Sequence, residues 1–240
     1  MLETDLPGTG QSPLIVALDY PEPDAALAMA RRLDPRLVRV KVGKQLFTRA
    51  GPALVTQLQS LGFGVFLDLK FHDIPNTVAG AVAAAAELGV WMVNVHASGG
   101  ARMMRAARDA LTHYQHPPLL VAVTVLTSMG PEDLAELGIT RSPADCVRHL
   151  AQLTATCGLD GVVCSAEEAG LLSECTPPEF LRVTPGIRLP GDDADDQRRV
   201  VSPRNAIDAG ASHLVMGRSI TGARDPAQVV DSVLASIAIG

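Results

Sequence analysis

An acid, a base and an acid stand close together in one short run. They are Asp68, Lys70 and Asp73 in Phe66-Leu67-Asp68-Leu69-Lys70-Phe71-His72-Asp73-Ile74-Pro75-Asn76-Thr77. If the run is a strand, Asp68 and Lys70 share one face, about 6–7 Å apart along the backbone. Asp73 comes just past the strand end, so all three aim at one small region. Two carboxylates held close together share a proton unless a cation keeps both ionised. Lys70, between them in sequence, has the chemistry to be that cation. Such a cluster can hold, orient and move a proton.

The elements that must position this cluster follow from the pattern around it. Val65, Phe66, Leu67 and Leu69 are strand formers, and Pro75-Asn76 breaks the run. Further apolar runs predict strands over 14–18, 37–42, 90–95, 119–125, 161–164, 180–184 and 212–216. Helical segments are expected between them, over 24–33, 52–61, 78–88, 101–111, 143–157, 166–172, 203–209 and 225–237, with a short extra one at 133–137. Asp24 and Ser165 are expected as helix caps. Strand and helix thus alternate eight times without a sequence repeat, which predicts an α/β protein of the closed (β/α)8 TIM-barrel class. An open doubly wound sheet is the competing fold. It would carry a Gly-rich turn after the first strand, where this chain has Asp19-Tyr20-Pro21. Residues 1–13 read as a tail and 14–240 as a single catalytic domain.

In such a barrel the chemistry sits at the C-terminal ends of the strands. Polar residues fall there repeatedly: Asp19, Lys41, Asp68 with Lys70, His96, Thr127, Arg188 and Arg218. Each has a plain structural explanation by itself. Asp19 could cap a helix, Lys41 could reach out to the rim, and Asp68 with Lys70 could be only an ion pair. His96 and His72 read as rim or turn residues. Their convergence on one rim is what solvation does not explain. Barrels often bind phosphate with the loops after strands seven and eight. Gly217 permits close backbone approach there, and Arg218 can fork onto phosphate oxygens. The loop from Gly191 to Gln197 could fold over the same ligand, with Gln197 donating.

Composition excludes several classes. The net charge is −6 and no basic cluster stands out, so nucleic acid is a poor partner. No run approaches the roughly 18–20 apolar residues of a membrane span. Met1 to Pro13 carries Glu3 and Asp5 and does not read as a signal peptide. Cys146, Cys157, Cys164 and Cys175 form no C-x-x-C pair, which argues against a zinc site and fits free thiols in a reducing cytoplasm.

The run from Asp68 to Thr77 resembles the signature of the orotidine 5′-phosphate decarboxylase family. Four more segments are similar to that family: Lys41-Val42-Gly43, Val123-Thr124-Val125-Leu126-Thr127-Ser128, Thr184-Pro185-Gly186-Ile187-Arg188, and Val215-Met216-Gly217-Arg218-Ser219-Ile220. The likeness runs from Leu14 to Asp225. It departs at Lys44-Gln45, where the family often has Met-Glu.

The resemblance implies loss of CO2 from orotidine 5′-monophosphate to give UMP, without metal or organic cofactor, in a cytoplasmic homodimer. It implies that Lys70 donates the proton, with Asp68, Asp73 and Lys41 around it. Asp73 would reach the neighbouring subunit's site, with Ile74 and Thr77 beside it. Asp19 and Lys41 would hold the ribose, and Thr127 the pyrimidine or its loop. Gln197, Gly217 and Arg218 would hold the phosphate, with Arg188 alongside. Leaving CO2 puts a carbanion on the ring, and no motif supplies a cofactor to spread it. An ammonium fixed beside that carbon can stabilise the charge and then protonate it. The nearest rival is a metal-dependent sugar-phosphate decarboxylase or aldol-type synthase sharing the D-x-K-x-x-D core. A non-catalytic nucleotide-binding barrel is a rival of another class.

Overall fold

The computed structural model describes residues 12–189 and 201–238. Gln197, the rest of its loop and most of the expected N-terminal tail lie outside the described residues. In chain order the elements are β1 (Leu14–Ala17), α1 (Pro23–Ala30), β2 (Arg39–Gly43), α2 (Lys44–Ala50), α3 (Pro52–Ser60), β3 (Val65–Phe71), α4 (Pro75–Glu87) and β4 (Met92–His96). They continue with α5 (Gly100–Asp109), β5 (Leu119–Val123), α6 (Pro131–Glu136), α7 (Pro143–Thr156), β6 (Gly161–Val163), α8 (Ala166–Ser173), β7 (Leu181–Thr184), α9 (Pro203–Asp208), β8 (His213–Met216), α10 (Arg218–Thr221) and α11 (Pro226–Ile237). The eight strands are parallel and close into a barrel, with β8 beside β1 through Ile15↔Val215. The expected (β/α)8 class is the observed one.

Strand alternation divides the core in two. Leu14, Val16, Val40, Leu67, Val93, Leu120 and Leu214 face the helices and join the large outer cluster. Ile15, Ala17, Phe66, Met92, Val121, Val183 and Val215 fill the barrel interior. One step further toward the C-terminal rim, the inward positions change character. Lys41 follows Arg39 on β2, Asp68 follows Phe66 on β3, and Asn94 follows Met92 on β4. All three are buried. The barrel is therefore greasy in the middle and ionic at its mouth.

At the opposite end the barrel is closed by stacking. The Arg39 guanidinium lies 4.1 Å from the centre of the Trp91 ring, and His213 packs against the same ring at 5.4 Å. Gly161 on β6 has no alternative in that layer, because a Cβ would collide with the Leu181 carbonyl of β7.

Several elements differ from the sequence expectation for identifiable reasons. The strand run does stop before Pro75, but the helix expected from Val78 already begins there: Pro75 is the first residue of α4, where its missing N–H costs nothing. Asp24 lies inside the first turn of α1, whose N-cap is Glu22, so it does not cap. Ser165 does cap α8, accepting from the Glu168 N–H while Glu168 accepts from the Ser165 N–H. The short helices α2 and α10 have too few turns for an apolar period to be read.

His213 carries a consequence for stability. Burial, reinforced by the Arg39 charge, lowers its pKa from 6.5 to about 4. Well above pH 6.5 it is neutral whether folded or not. Between 6.5 and 4 the unfolded chain takes up a proton that the folded chain refuses, so stability falls as pH falls. His213→Gln should flatten the slope of unfolding free energy against pH in that window, by up to about 1.4 kcal/mol per pH unit. Denaturant titrations across the window check this, and an unchanged slope would refute it.

Candidate active site

Asp68 sits at the centre of the ionic mouth. Its Oδ1 is 2.5 Å from Lys70 Nζ and its Oδ2 is 3.4 Å from Lys41 Nζ. Lys41 Nζ in turn lies 3.0 Å from Asp19 Oδ1. The four side chains form an alternating row, acid–base–acid–base, from Asp19 to Lys70. Their charges sum to zero, which is what allows Asp68 and Lys41 to stay ionised at 8% and 9% exposure. Burial opposes the charge on Asp68, but Lys41, Lys70 and the hydrogen bonds of Lys70 and Asn94 outweigh it and lower its pKa. Burial likewise opposes the Lys41 ammonium, and Asp68 and Asp19 more than offset it, raising its pKa.

The local backbone of β3 makes the contact. Asp68 and Lys70 do meet as expected, but not by regular strand alternation. The register with β4 jumps between Leu67↔Val93 and Phe71↔Val95, so three β3 residues bulge opposite one on β4. Lys70 takes φ +53°, the sole non-glycine positive φ among the described residues. Its N–H is donated to Asn94 Oδ1 at 2.8 Å, and Asn94 Nδ2 donates to Asp68 Oδ1 at 2.7 Å. Asn94 is not among the residues expected at the site from the sequence. Its signal was present, a polar and poor strand former between Val93 and Val95.

Asp73 does not join this row within one chain. Its carboxylate accepts from the Ile74 N–H at 2.6 Å, and it is exposed at the start of α4. Among the described residues Asp73 makes no ion pair, so the second acid beside the lysines is Asp19. The expectation that Asp68, Lys70 and Asp73 meet in one place therefore fails for the isolated chain. Asp73 lies two residues past the end of β3, where its carboxylate turns onto the next backbone N–H. Ile74 and Thr77 are exposed on the same stretch, Ile74 at 67%.

Two adjoining cavities open from the row. One, of about 460 Å³, is lined by Asp19, Lys41, Asp68, Arg188, Gly217 and Arg218. The other, of about 170 Å³, adds Lys70 and Thr127 to an apolar wall of Phe66, Val123, Val163 and Val215. Lys41, Asp68, Pro185 and Val215 border both. The first is lined by two arginines and suits an anion; the second suits a flat, largely apolar ring. Arg188 is held by its backbone, whose N–H is donated to the Val201 carbonyl at 3.2 Å, and by the Ile187↔Val201 bridge. The site thus brings together Asp19, Lys41, Asp68, Lys70, Thr127, Arg188, Gly217 and Arg218. A larger cavity, of about 580 Å³, lies outside the row against Leu134, Leu137 and Ile139 and contains none of the four charged residues. His96 lines it, its ring 5.5 Å from that of His72; burial and then the His72 and lysine charges lower its pKa to about 4.

Among the described residues no three His, Cys, Asp or Glu side chains group as a metal site. The donor set at the mouth points the same way, since both Asp68 oxygens face ammonium groups where a divalent cation would be repelled. The described residues include no helix long and apolar enough to cross a membrane.

Replacing Asp68 with Asn should strip Lys41 of its main counter-charge. With only Asp19 left to offset burial, the Lys41 pKa should fall from its raised position, and the fold should lose about 3 kcal/mol. Lysine side-chain NMR against pH reads the first and denaturant unfolding the second. A Lys41 titration unmoved by the change would contradict the balance described above.

The chain is similar to known proteins over nearly its whole length. The model of the orotidine 5′-phosphate decarboxylase / HUMPS family matches residues 12–233. An orotidine 5′-phosphate decarboxylase of Alcanivorax borkumensis is 60% identical over 96% of this chain and 100% of its own length. One of Escherichia coli is 60% identical over 94% of this chain and 93% of its own. The crystal structure of orotidine 5′-phosphate decarboxylase from Lactobacillus acidophilus, 38% identical, superposes with a TM-score of 0.85 over 95% of this chain and 100% of that one.

Proposed function

The chain belongs to the orotidine 5′-phosphate decarboxylase / HUMPS family, and on that premise we propose that it converts orotidine 5′-monophosphate to UMP and CO2. This is the last step of de novo pyrimidine nucleotide biosynthesis. The observation that carries the reading is the Asp19–Lys41–Asp68–Lys70 row, which lies where the anion-suited cleft meets the apolar cavity. A nucleotide laid across that junction puts its phosphate by Arg188, Gly217 and Arg218 and its ribose by Asp19 and Lys41. Its base enters the apolar cavity beside Thr127. Gln197 would complete the phosphate grip.

The reacting ring carbon then faces Lys70. The carbon–carbon bond to the carboxylate breaks and its electron pair stays on the ring. The Lys70 ammonium stabilises that charge and delivers the proton that replaces CO2. Lys70 regains its proton from solvent as product leaves. Asp68 holds the Lys70 ammonium in place, and Lys41 offsets the second negative oxygen. No cofactor is needed in this scheme, because the ammonium does the work an electron sink would do. The metal-dependent sugar-phosphate rival is less well supported, since ammonium groups already occupy both faces of Asp68. A non-catalytic binder has no use for a backbone held at φ +53° to aim a lysine.

The active form in this reading is a homodimer. Asp73, Ile74 and Thr77 form an exposed group that its own barrel does not use, and they would complete the site of a second copy. Ile74 and Leu137, 67% and 66% exposed, are apolar surface suited to that contact. Residues 14–240 act as one catalytic barrel, and the four free thiols fit a cytoplasmic location.

The test is loss of orotidine 5′-monophosphate absorbance with purified protein and EDTA present. Turnover is expected, and its absence, or its dependence on added divalent metal, would reject the reading. Lys70→Ala should abolish turnover and leave UMP binding largely intact. Arg218→Ala should lower kcat/KM several hundredfold, about 3–4 kcal/mol, because grip on the phosphate organises the reacting end. A normal kcat/KM would remove that assignment.

Sharing of sites between subunits has its own readout. Inactive Asp73→Ala subunits mixed with inactive Lys70→Ala subunits should recover part of the activity. A verified mixed dimer without recovery would exclude a shared site.

A further inference from the structure

We propose that Asn94 is a positioning residue for the decarboxylation, holding Lys70 and Asp68 in register through the two ends of one carboxamide. This rests on the functional reading above. Asn94 is fully buried on β4, directly across from the bulge of β3. Its Oδ1 accepts the Lys70 backbone N–H at 2.8 Å, and its Nδ2 donates to Asp68 Oδ1 at 2.7 Å. The amide can sit only one way round. A backbone N–H can only donate, so oxygen must face Lys70; an ionised carboxylate can only accept, so nitrogen must face Asp68.

Two consequences follow from that bridge. The bulge takes the Lys70 N–H out of the regular ladder, and a buried N–H without an acceptor would not be tolerated. Asn94 supplies the acceptor, and so holds a lysine in the left-handed region that its Cβ disfavours. The same carboxamide fixes the rotation of Asp68. The oxygen it binds is the one 2.5 Å from Lys70 Nζ, which leaves the other for Lys41. One side chain therefore sets both the backbone that carries the ammonium and the carboxylate that aims it. Other residue types lack one half of this. Leucine leaves both partners bare, serine is too short to span them, and an ionised aspartate meets Asp68 with like charge.

The charged groups facing position 94 are Asp68 and Lys70 on β3 and, behind Asp68, Lys41 on β2. His96 lies two residues along the same strand, and the facing residues of β5, Val121 and Val123, are apolar. An aspartic acid in place of Asn94 can reproduce the bridge only while protonated, when its hydroxyl donates to Asp68 and its carbonyl accepts from Lys70. This gives the proposal a readout that mere packing would not move.

The experiment compares wild type with Asn94→Ala, Asn94→Ser and Asn94→Asp by steady-state kinetics on orotidine 5′-monophosphate, UMP binding by calorimetry, and crystal structures. Asn94→Ala and Asn94→Ser should lose about 100-fold or more in kcat, with KM and the UMP Kd within about threefold of wild type, a loss of about 2.7 kcal/mol in activation free energy. Asn94→Asp should be equally poor at neutral pH and gain activity as pH falls, a trend wild type lacks. In the crystal, Lys70 of the Ala or Ser variant should leave the left-handed region or lose its contact with Asp68. A kcat within threefold of wild type would overturn the proposal. So would an Asn94→Asp profile shaped like wild type, or a loss of UMP binding as large as the loss of kcat. If wild type itself does not act on orotidine 5′-monophosphate, the functional reading fails, and the Lys70 geometry of the variant crystals still decides the bridge. An unchanged Lys70 there overturns it.

Discussion

The structure turns on a single buried carboxylate. Asp68 is removed from water and kept charged by three groups: an ammonium on its own strand, an ammonium on the strand before, and a carboxamide on the strand after. A lone carboxylate in that position would take up a proton, and a lone lysine would give one up. Together they hold a fixed field at the barrel mouth without net charge. Such a field is already oriented when a ligand arrives, so little reorganisation remains for the reaction itself. The closed sheet makes this possible, because adjacent parallel strands bring their inward residues to the rim at set heights.

The two cavities divide the labour of recognition. The wider cleft carries Arg188 and Arg218 and suits an anion. The narrower one sets Lys70 against a mostly hydrocarbon wall. Lys41 and Asp68 border both, so the ionic row lies at their junction. Leu126 belongs to a further junction, lining both the apolar cavity and the larger outer one beside α6.

Much of this was legible in the sequence because it follows from local rules. Eight apolar runs separated by helical segments named the barrel, and polar residues at the run ends named its active rim. Asp19, Lys41, Asp68, Lys70, Arg188 and Arg218 could all be placed in that way. What could not be read depends on pairing between strands. The bulge in β3 exists only relative to the register of β4, so the left-handed Lys70 and the bridging role open to Asn94 leave no periodic trace. The same holds for Asp73, which sequence proximity put with Lys70 and the turn into α4 carries away. Proximity along a chain predicts proximity in space only while the backbone stays regular.

The seam of the barrel has a consequence for how the protein is made. β1 is closed by β8, and the Leu214 N–H is donated to the Pro13 carbonyl at 2.7 Å, across about two hundred residues of chain. During synthesis the first strand leaves the ribosome long before its second neighbour exists, so its open edge must wait unpaired. Arg218 lies beyond even that last strand. The cleft lined by Arg188 and Arg218 is therefore completed only after β8 and the turn that follows it have been made.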